Sequence, residues 1–285
     1  MVRIIYIITA LIFSFVVKAQ DLEKSLLWKI SGNGLEKPSY LFGTMHAVCD
    51  VNLNNNINNA LDETSQLYLE IDIDDPNLQS KMMKGMILKD GITISSLMNE
   101  EDSKILDAFL KKNIGISLKI VDKFKPFIIN SMFIPKLLDC PIQSVEAELM
   151  TISMEQNEEI FGLETIEEQL IFFDKIPYKI QIEELVRTAK DDLAKDKIEM
   201  KEMIKVYNNE DIEKMLKMII DSDNRMMADF NEVILNERNT NWIPIISKVA
   251  LEKPTFFAVG SGHLAGENGV IKLLRREGFQ VEAIN

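Results

Sequence analysis

Ser39-Tyr-Leu-Phe-Gly43-Thr44-Met45-His46 and Phe256-Phe-Ala-Val-Gly260-Ser261-Gly262-His263 are the two stretches that decide the fold. In each, a β-prone apolar run ends on glycine, two residues follow, and a histidine comes next. Glycine at the end of a strand lets the backbone turn sharply or approach another group closely, so each histidine is expected to project from the carboxyl edge of a sheet. That edge is where open α/β sheets place their ligands. The chain of 285 residues holds only these two histidines. A lone histidine reads first as a hydrogen-bonded core residue, whereas two in the same local setting point to a shared site. Neutral imidazole is the commonest metal ligand, and its second nitrogen needs an acceptor to orient it. Two imidazoles do not complete a metal site, so at least one carboxylate or water has to join them.

Around these turns, β-type patterning recurs at residues 38–42, 66–72, 160–164, 255–260 and 279–283. Helical spacing covers 53–64, 77–88, 100–113, 126–138, 145–157 and 165–174. It continues through a long charged amphipathic segment at 178–206, then 211–220, 222–237 and 266–276. Mixed charge of that kind marks a solvated helix surface rather than a binding strip. Strand, turn and helix therefore occur near both ends, with a mostly helical middle. The expected class is α/β or α+β: a central mixed sheet formed from N- and C-terminal strand–Gly-x-x-His–helix units, carrying a large helical insertion. No interior Pro/Gly/Ser-rich stretch marks a linker, so residues 20–285 read as one domain.

The first residues, MVRIIYIITALIFSFVVKAQ, have a basic start at Arg3, an apolar run of 14 residues from Ile4 to Val17, and a small residue at Ala19. This is the layout of a cleaved signal peptide over residues 1–19, too short in its apolar part for the roughly 17–25 residues of a membrane span. No later stretch supplies an integral membrane segment. The expected destination is periplasmic or secreted, with membrane association if the leader stays attached. Loss of Arg3 and Lys18 would take the net charge from −13 to −15. Such acidity argues against nucleic acid as a partner. Export makes Cys49 and Cys140 candidates for one disulfide, with two separate buried thiols as the other reading.

At this point the chain resembles the TraB/GumN family, whose members include the TIKI metalloproteases, with erythromycin-esterase-like and ChaN-like proteins as more distant relatives. The resemblance rests on Tyr40-Leu-Phe-Gly-Thr-Met-His46, Tyr68-Leu-Glu-Ile-Asp72, Gly162-Leu-Glu-Thr165 with Gln169, Glu237-Arg-Asn239 with Trp242, and Ala258-Val-Gly-Ser-Gly-His-Leu-Ala-Gly266 through Gly269-Val-Ile271. It implies a metal-dependent hydrolase fold in which both turns face one site. Carried over residue by residue, it marks His46 and His263 as the paired histidines, Glu70 and Glu164 as the acids, and Arg238 with Asn239 as the Arg-Asn pair. One departure is Glu146 in Ser144-Val-Glu146, where members often carry an aspartate after a glycine; an acid is retained.

These residue types suit metal-assisted hydrolysis. A divalent ion, Mn, Co or Zn, held by His46, His263 and one or both of Glu70 and Glu164 would lower the pKa of a bound water toward roughly 7 and polarise a carbonyl. A glutamate not committed to the ion would take the water's proton, and Glu70 and Glu164 are equivalent candidates for either task. Arg238 suits a developing oxyanion or a substrate carboxylate, with Asn239 beside it. The expected partner is a peptide or small-molecule substrate. The alternative is a non-catalytic protein of the same fold that holds a metal, haem or small ligand. The chain has no H-E-x-x-H, G-x-S-x-G or G-x-x-x-x-G-K-[ST], which removes ordinary zincins, α/β-hydrolases and P-loop enzymes from consideration.

Overall fold

Two neighbouring central strands are apolar almost end to end, because helices cover both of their faces. In the computed structural model, which describes residues 22–285, these are β2 (Ser39–Thr44) and β5 (Phe256–Gly260). The 1–19 leader read from sequence lies outside the described residues. In chain order the elements begin with β1 (Leu27–Gly32), β2, α1 (Asn55–Asp62) and β3 (Leu67–Ile71). A first helical group follows: α2 (Leu78–Gly85), α3 (Glu100–Ile114), α4 (Leu118–Val121), α5 (Pro126–Ser131), α6 (Ile134–Leu137) and α7 (Val145–Glu155). After β4 (Ile160–Glu164) comes a second: α8 (Ile166–Asp174), α9 (Tyr178–Asp191), α10 (Ala194–Asn208), α11 (Ile212–Ile220), α12 (Arg225–Ala228) and α13 (Glu237–Glu252). β5, α14 (Val270–Arg276) and β6 (Phe279–Ile284) complete the chain.

The six strands form one mixed sheet in the order β4-β3-β5-β2-β1-β6. β4, β3, β5 and β2 run parallel, while β1 pairs antiparallel with both β2 and β6. The fold is therefore mixed α/β, as expected from the strand units at each end. The helical insertion is divided in two, because β4 returns to pair with β3 at the sheet edge. The register of β2 on β5 sets Thr44 opposite Gly260, so both histidine turns leave the same end of adjacent strands.

Around the sheet lies a core that includes Trp28, Leu41, Leu69, Trp242, Ile246, Phe256 and Phe257. A separate core joins α3, α5 and α9 through Leu106, Leu110, Ile129, Ile182 and Leu185. Local signals set several ends. Asn99 caps α3 by accepting from the Asp102 N–H at 2.8 Å, and Gly115 closes it in the left-handed conformation at φ 75°. Thr165 and Glu168 form a capping box that starts α8 directly after Glu164.

Three helical expectations are revised. Residues 126–138 form α5 and α6 rather than one helix, with Pro135, which lacks an N–H, in the first turn of α6. Segment 178–206 breaks where Asp192 and Leu193 adopt φ of 56° and 67°. Residues 222–237 hold α12 and a wide-turn π segment, Glu232–Asn236, that runs into α13. Neither α13 nor β1 figures in the reading from sequence.

Candidate active site

Glycine permits the two turns to pack on each other. A Cβ on Gly43 would lie 2.7 Å from Leu264 Cδ1 and 3.1 Å from Ser261 Cβ, both from the His263 turn. Gly260 meets the third strand of the site: its N–H donates to Glu70 Oε1 at 2.7 Å. A Cβ there would stand 3.1 Å from the same oxygen. Glu70, next to last in β3, is thus turned into the site.

Arg238 organises the buried part. Its Nη2 donates to Glu70 Oε2 and to Glu164 Oε1, each at 2.6 Å. Its Nε reaches Glu164 Oε1 at 3.0 Å, and its Nη1 donates to the Ile234 carbonyl at 3.2 Å. That carbonyl belongs to the π segment, whose wide turns leave backbone groups open to other partners. Trp242, one helical turn beyond Arg238, carries the guanidinium over its ring at 4.8 Å and donates from Nε1 to Glu164 Oε2 at 3.1 Å. Gln169 donates to Glu164 Oε1 at 3.1 Å and to Glu70 Oε2 at 3.4 Å. Both oxygens of Glu164 are occupied by this set.

His263 is 4% exposed and tilts against Trp242, with ring centroids 4.6 Å apart. Its Nδ1 lies 2.6 Å from Asn239 Oδ1, while Asn239 Nδ2 donates to the Asn268 carbonyl at 2.8 Å. With its amide nitrogen so engaged, Asn239 presents an acceptor, which places the imidazole proton on Nδ1 and the lone pair on Nε2. Nε2 accepts from Arg238 Nη1 at 3.2 Å and stands 3.8 Å from Glu70 Oε1. Burial, reinforced by Arg238, pushes the His263 pKa down to about 3.

His46 occupies the outer part, its side chain 67% exposed. Its Nδ1 is 2.7 Å from Glu146 Oε1, and the other Glu146 oxygen accepts from Ser144 Oγ at 2.7 Å. The Glu146 hydrogen bond pushes the His46 pKa up to about 9. Burial acts to raise Glu146, but the bond to His46 prevails and brings it down to about 2. In both histidines, therefore, an oxygen acceptor takes Nδ1 and Nε2 is the remaining nitrogen.

Burial likewise opposes ionisation of Glu70, yet Arg238 and the nearby histidines hold its carboxyl well below the usual range. For Glu164, burial outweighs Arg238 and the pKa is raised. Two carboxylates against one guanidinium leave the buried cluster with one excess negative charge, which a bound cation or a proton on Glu164 would balance.

Of the residues singled out from sequence, Glu70, Glu164, Arg238, Asn239 and His263 meet in this cluster, and His46 lies on the adjoining turn. Among the described residues, no three His, Cys, Asp or Glu side chains are gathered closely enough to hold a metal ion. The donor chemistry nonetheless suits one. Metal–ligand distances of about 2.0–2.2 Å allow two donors to share an ion, and His263 Nε2 and Glu70 Oε1, 3.8 Å apart, fall within that reach. An ion there would take the lone pair that now accepts from Arg238. Sequence reasoning assigned no site role to Trp242, Gln169 or Glu146. The signal for Trp242 was its position four residues after Arg238, on the same helix face.

Cys49 and Cys140 are disulfide-bonded. No helix among the described residues is long and apolar enough to cross a membrane.

The chain is similar to metalloprotease TIKI1 of Danio rerio, 23% identical over 320 aligned residues covering 90% of this chain and 63% of the relative. It is also similar to metalloprotease TIKI2 of Xenopus tropicalis, 22% identical over 324 residues covering 93% and 61%. The chain thus spans about three-fifths of the length of these relatives. No solved structure matches. The family model described as TraB/PrgY/gumN family matches residues 26–283, nearly all of the described chain, with both histidine turns inside the match. The chain belongs to the TraB/PrgY/gumN family.

Proposed function

We propose that this chain is an exported, metal-dependent hydrolase of peptidase-like character. The observation that carries the reading is the meeting of the two Gly-x-x-His turns at one end of adjacent parallel strands, each ring with Nδ1 held by an oxygen acceptor. That second-neighbour bond is the arrangement metal-ligating histidines use to present Nε2. His46 and His263 through Nε2, with Glu70 through Oε1, are the residues that would hold a divalent ion. Such an ion supplies a bound water of lowered pKa and a Lewis acid for the scissile carbonyl.

The protein's own contribution follows from its hydrogen bonds. Glu164 holds Arg238 along its Nε–Nη2 edge while the guanidinium lies over Trp242, so the guanidinium is fixed before substrate arrives. Nη1 of Arg238, beside His263, is placed to donate to an oxyanion or to a substrate carboxylate. Asn239 keeps His263 in one tautomer. A cavity of about 200 Å³ lined by Met45, Met200, Met203, Ile219 and Met227 opens beside the His46 turn and would accept an apolar side chain of a peptide. The disulfide supports an oxidising compartment, in keeping with export.

The second reading, a protein that holds an ion or small ligand without turnover, is favoured by one observation. Glu164, the carboxylate outside the proposed ligand set, is engaged at both oxygens by Arg238, Trp242 and Gln169, so taking a proton from a bound water would require it to give up one of these bonds. Cleavage of a peptide library with Mn²⁺, Co²⁺ or Zn²⁺, run beside His46→Ala and His263→Ala, separates the two. Cleavage lost in both variants is the expected result. Metal binding with no cleavage of any peptide selects the second reading.

A further inference from the structure

The His46 ring is largely exposed, so burial does little to fix it, and an ion pair open to solvent on one side contributes only about 0–1 kcal/mol. Its partner must therefore be held in place by something else. Cys49, three residues past His46, is bonded to Cys140. Val48 and Gln143 exchange backbone hydrogen bonds of 3.1 and 2.9 Å, and Gln143 Oε1 accepts from the Val51 N–H at 2.9 Å. Ser144 then caps α7, accepting from the Ala147 N–H at 3.3 Å, and orients Glu146 by donating to Oε2. The segments 46–51 and 140–146 are thus joined by a covalent bond, a backbone pair, the Gln143–Val51 bond and the Glu146–His46 contact, with Ser144 orienting the carboxylate. His263 is held by a different device, Asn239 on α13, which shares none of these links.

We propose that Glu146 is the positioning residue for His46 and that the Cys49–Cys140 bond acts through it, so that the outer half of the site is braced independently of the inner half. The inference rests on the site described above and not on hydrolysis. Losing the brace should loosen His46 alone and leave the Arg238 cluster and His263 in place.

With only two histidines, ¹⁵N-histidine labelling resolves the matter ring by ring. Spectra of the full chain at pH 7 are to be compared for wild type, Glu146→Ala, Glu146→Gln, the Cys49→Ser/Cys140→Ser pair, and that pair combined with Glu146→Ala. The expected result is a shift of the His46 ring nitrogens in Glu146→Ala, partial return in Glu146→Gln, which keeps an acceptor oxygen, and an unmoved His263. The cysteine pair should shift His46 in the wild-type background and add little once Glu146 is gone. An unmoved His46 in Glu146→Ala, or equal movement of both rings, overturns the proposal, and these two outcomes do not depend on the cysteine variants folding. Titration with Zn²⁺ alone should show a 10–100-fold weaker affinity in Glu146→Ala. Absence of Zn²⁺ binding in the wild type would count against the ion assignment, while the ring spectra would still decide this one.

Discussion

Arg238→Met removes the guanidinium while keeping a long apolar side chain over Trp242. The arginine is 5% exposed and sits between Glu70 and Glu164, themselves buried at 11% and 5% side-chain exposure. Breaking a buried pair from one side costs about 3–5 kcal/mol, because the remaining charge loses its partner. Here two carboxylates lose one partner, so the upper half of that range is expected at pH 7.5. A domain of this size is stable by about 5–15 kcal/mol, and the loss corresponds to a Tm lowered by about 8–20 °C. The penalty depends on pH. Without Arg238 the folded pKa values of Glu70 and Glu164 rise above their ordinary value near 4.5. Groups with raised folded pKa take up protons on folding, so the deficit shrinks as pH falls from 7.5 to 5.5. Glu164→Gln in the Arg238→Met background should recover stability by removing one unpaired charge. Thermal and urea unfolding at both pH values measure all of this. A loss under about 1 kcal/mol at pH 7.5, or an equal loss at the two pH values, would refute the assignment of Arg238 as the counter-charge of the cluster.

Three further outcomes are expected. NMR titration should find His46 with a midpoint near 9 and His263 near 3, so neither ring titrates at the ordinary 6.5. By linkage, His46 stabilises fully below pH 6.5 and loses that effect as pH rises through 9, whereas His263 withdraws stability as pH falls from 6.5 toward 3. A His263 midpoint near 6.5 would contradict its burial. Gly269→Ala would put a Cβ 2.1 Å from the Ala265 carbonyl oxygen and 2.4 Å from that of Leu264. The turn after His263 must open, at about 1–3 kcal/mol, with the Asn239–His263 bond disturbed in the ring spectrum. The disulfide closes a separation of 91 residues. The chain-entropy relation gives about 4–5 kcal/mol for its loss, measured by unfolding Cys49→Ser/Cys140→Ser, and an unchanged Tm would show that the loop is ordered without it.

Residue chemistry was more legible in the sequence than residue pairing. Residues 160–164 match β4, and residues 255–260 and 279–283 come within a residue of β5 and β6, because these runs are too short for helices, are rich in Phe, Val and Ile and, in the last two, follow a proline or glycine. β1 was missed although Leu27-Trp28-Lys29-Ile30 has half-buried character and a turn at Gly32-Asn33-Gly34 follows. α13 was missed because Asn239, Thr240, Asn241 and Pro244 lower helix propensity. Burial of Trp242, Ile243, Ile246, Val249 and Ala250 overrides that preference. The break at Asp192 and Leu193 carries no glycine to announce it. Within the site, two histidines in matching turns pointed to the strand edge. That Asn239 would serve His263, Glu146 would serve His46, and Glu164 would serve Arg238 depends on contacts between distant segments, which no local spacing encodes.

The central claim is that the two histidine turns form one ion-binding site. Isothermal titration of the metal-free full chain with Zn²⁺, repeated on His46→Ala and His263→Ala, tests it directly. A single site in the wild type that weakens sharply in either variant is the expected result. Unchanged Zn²⁺ stoichiometry and affinity in both variants would contradict it.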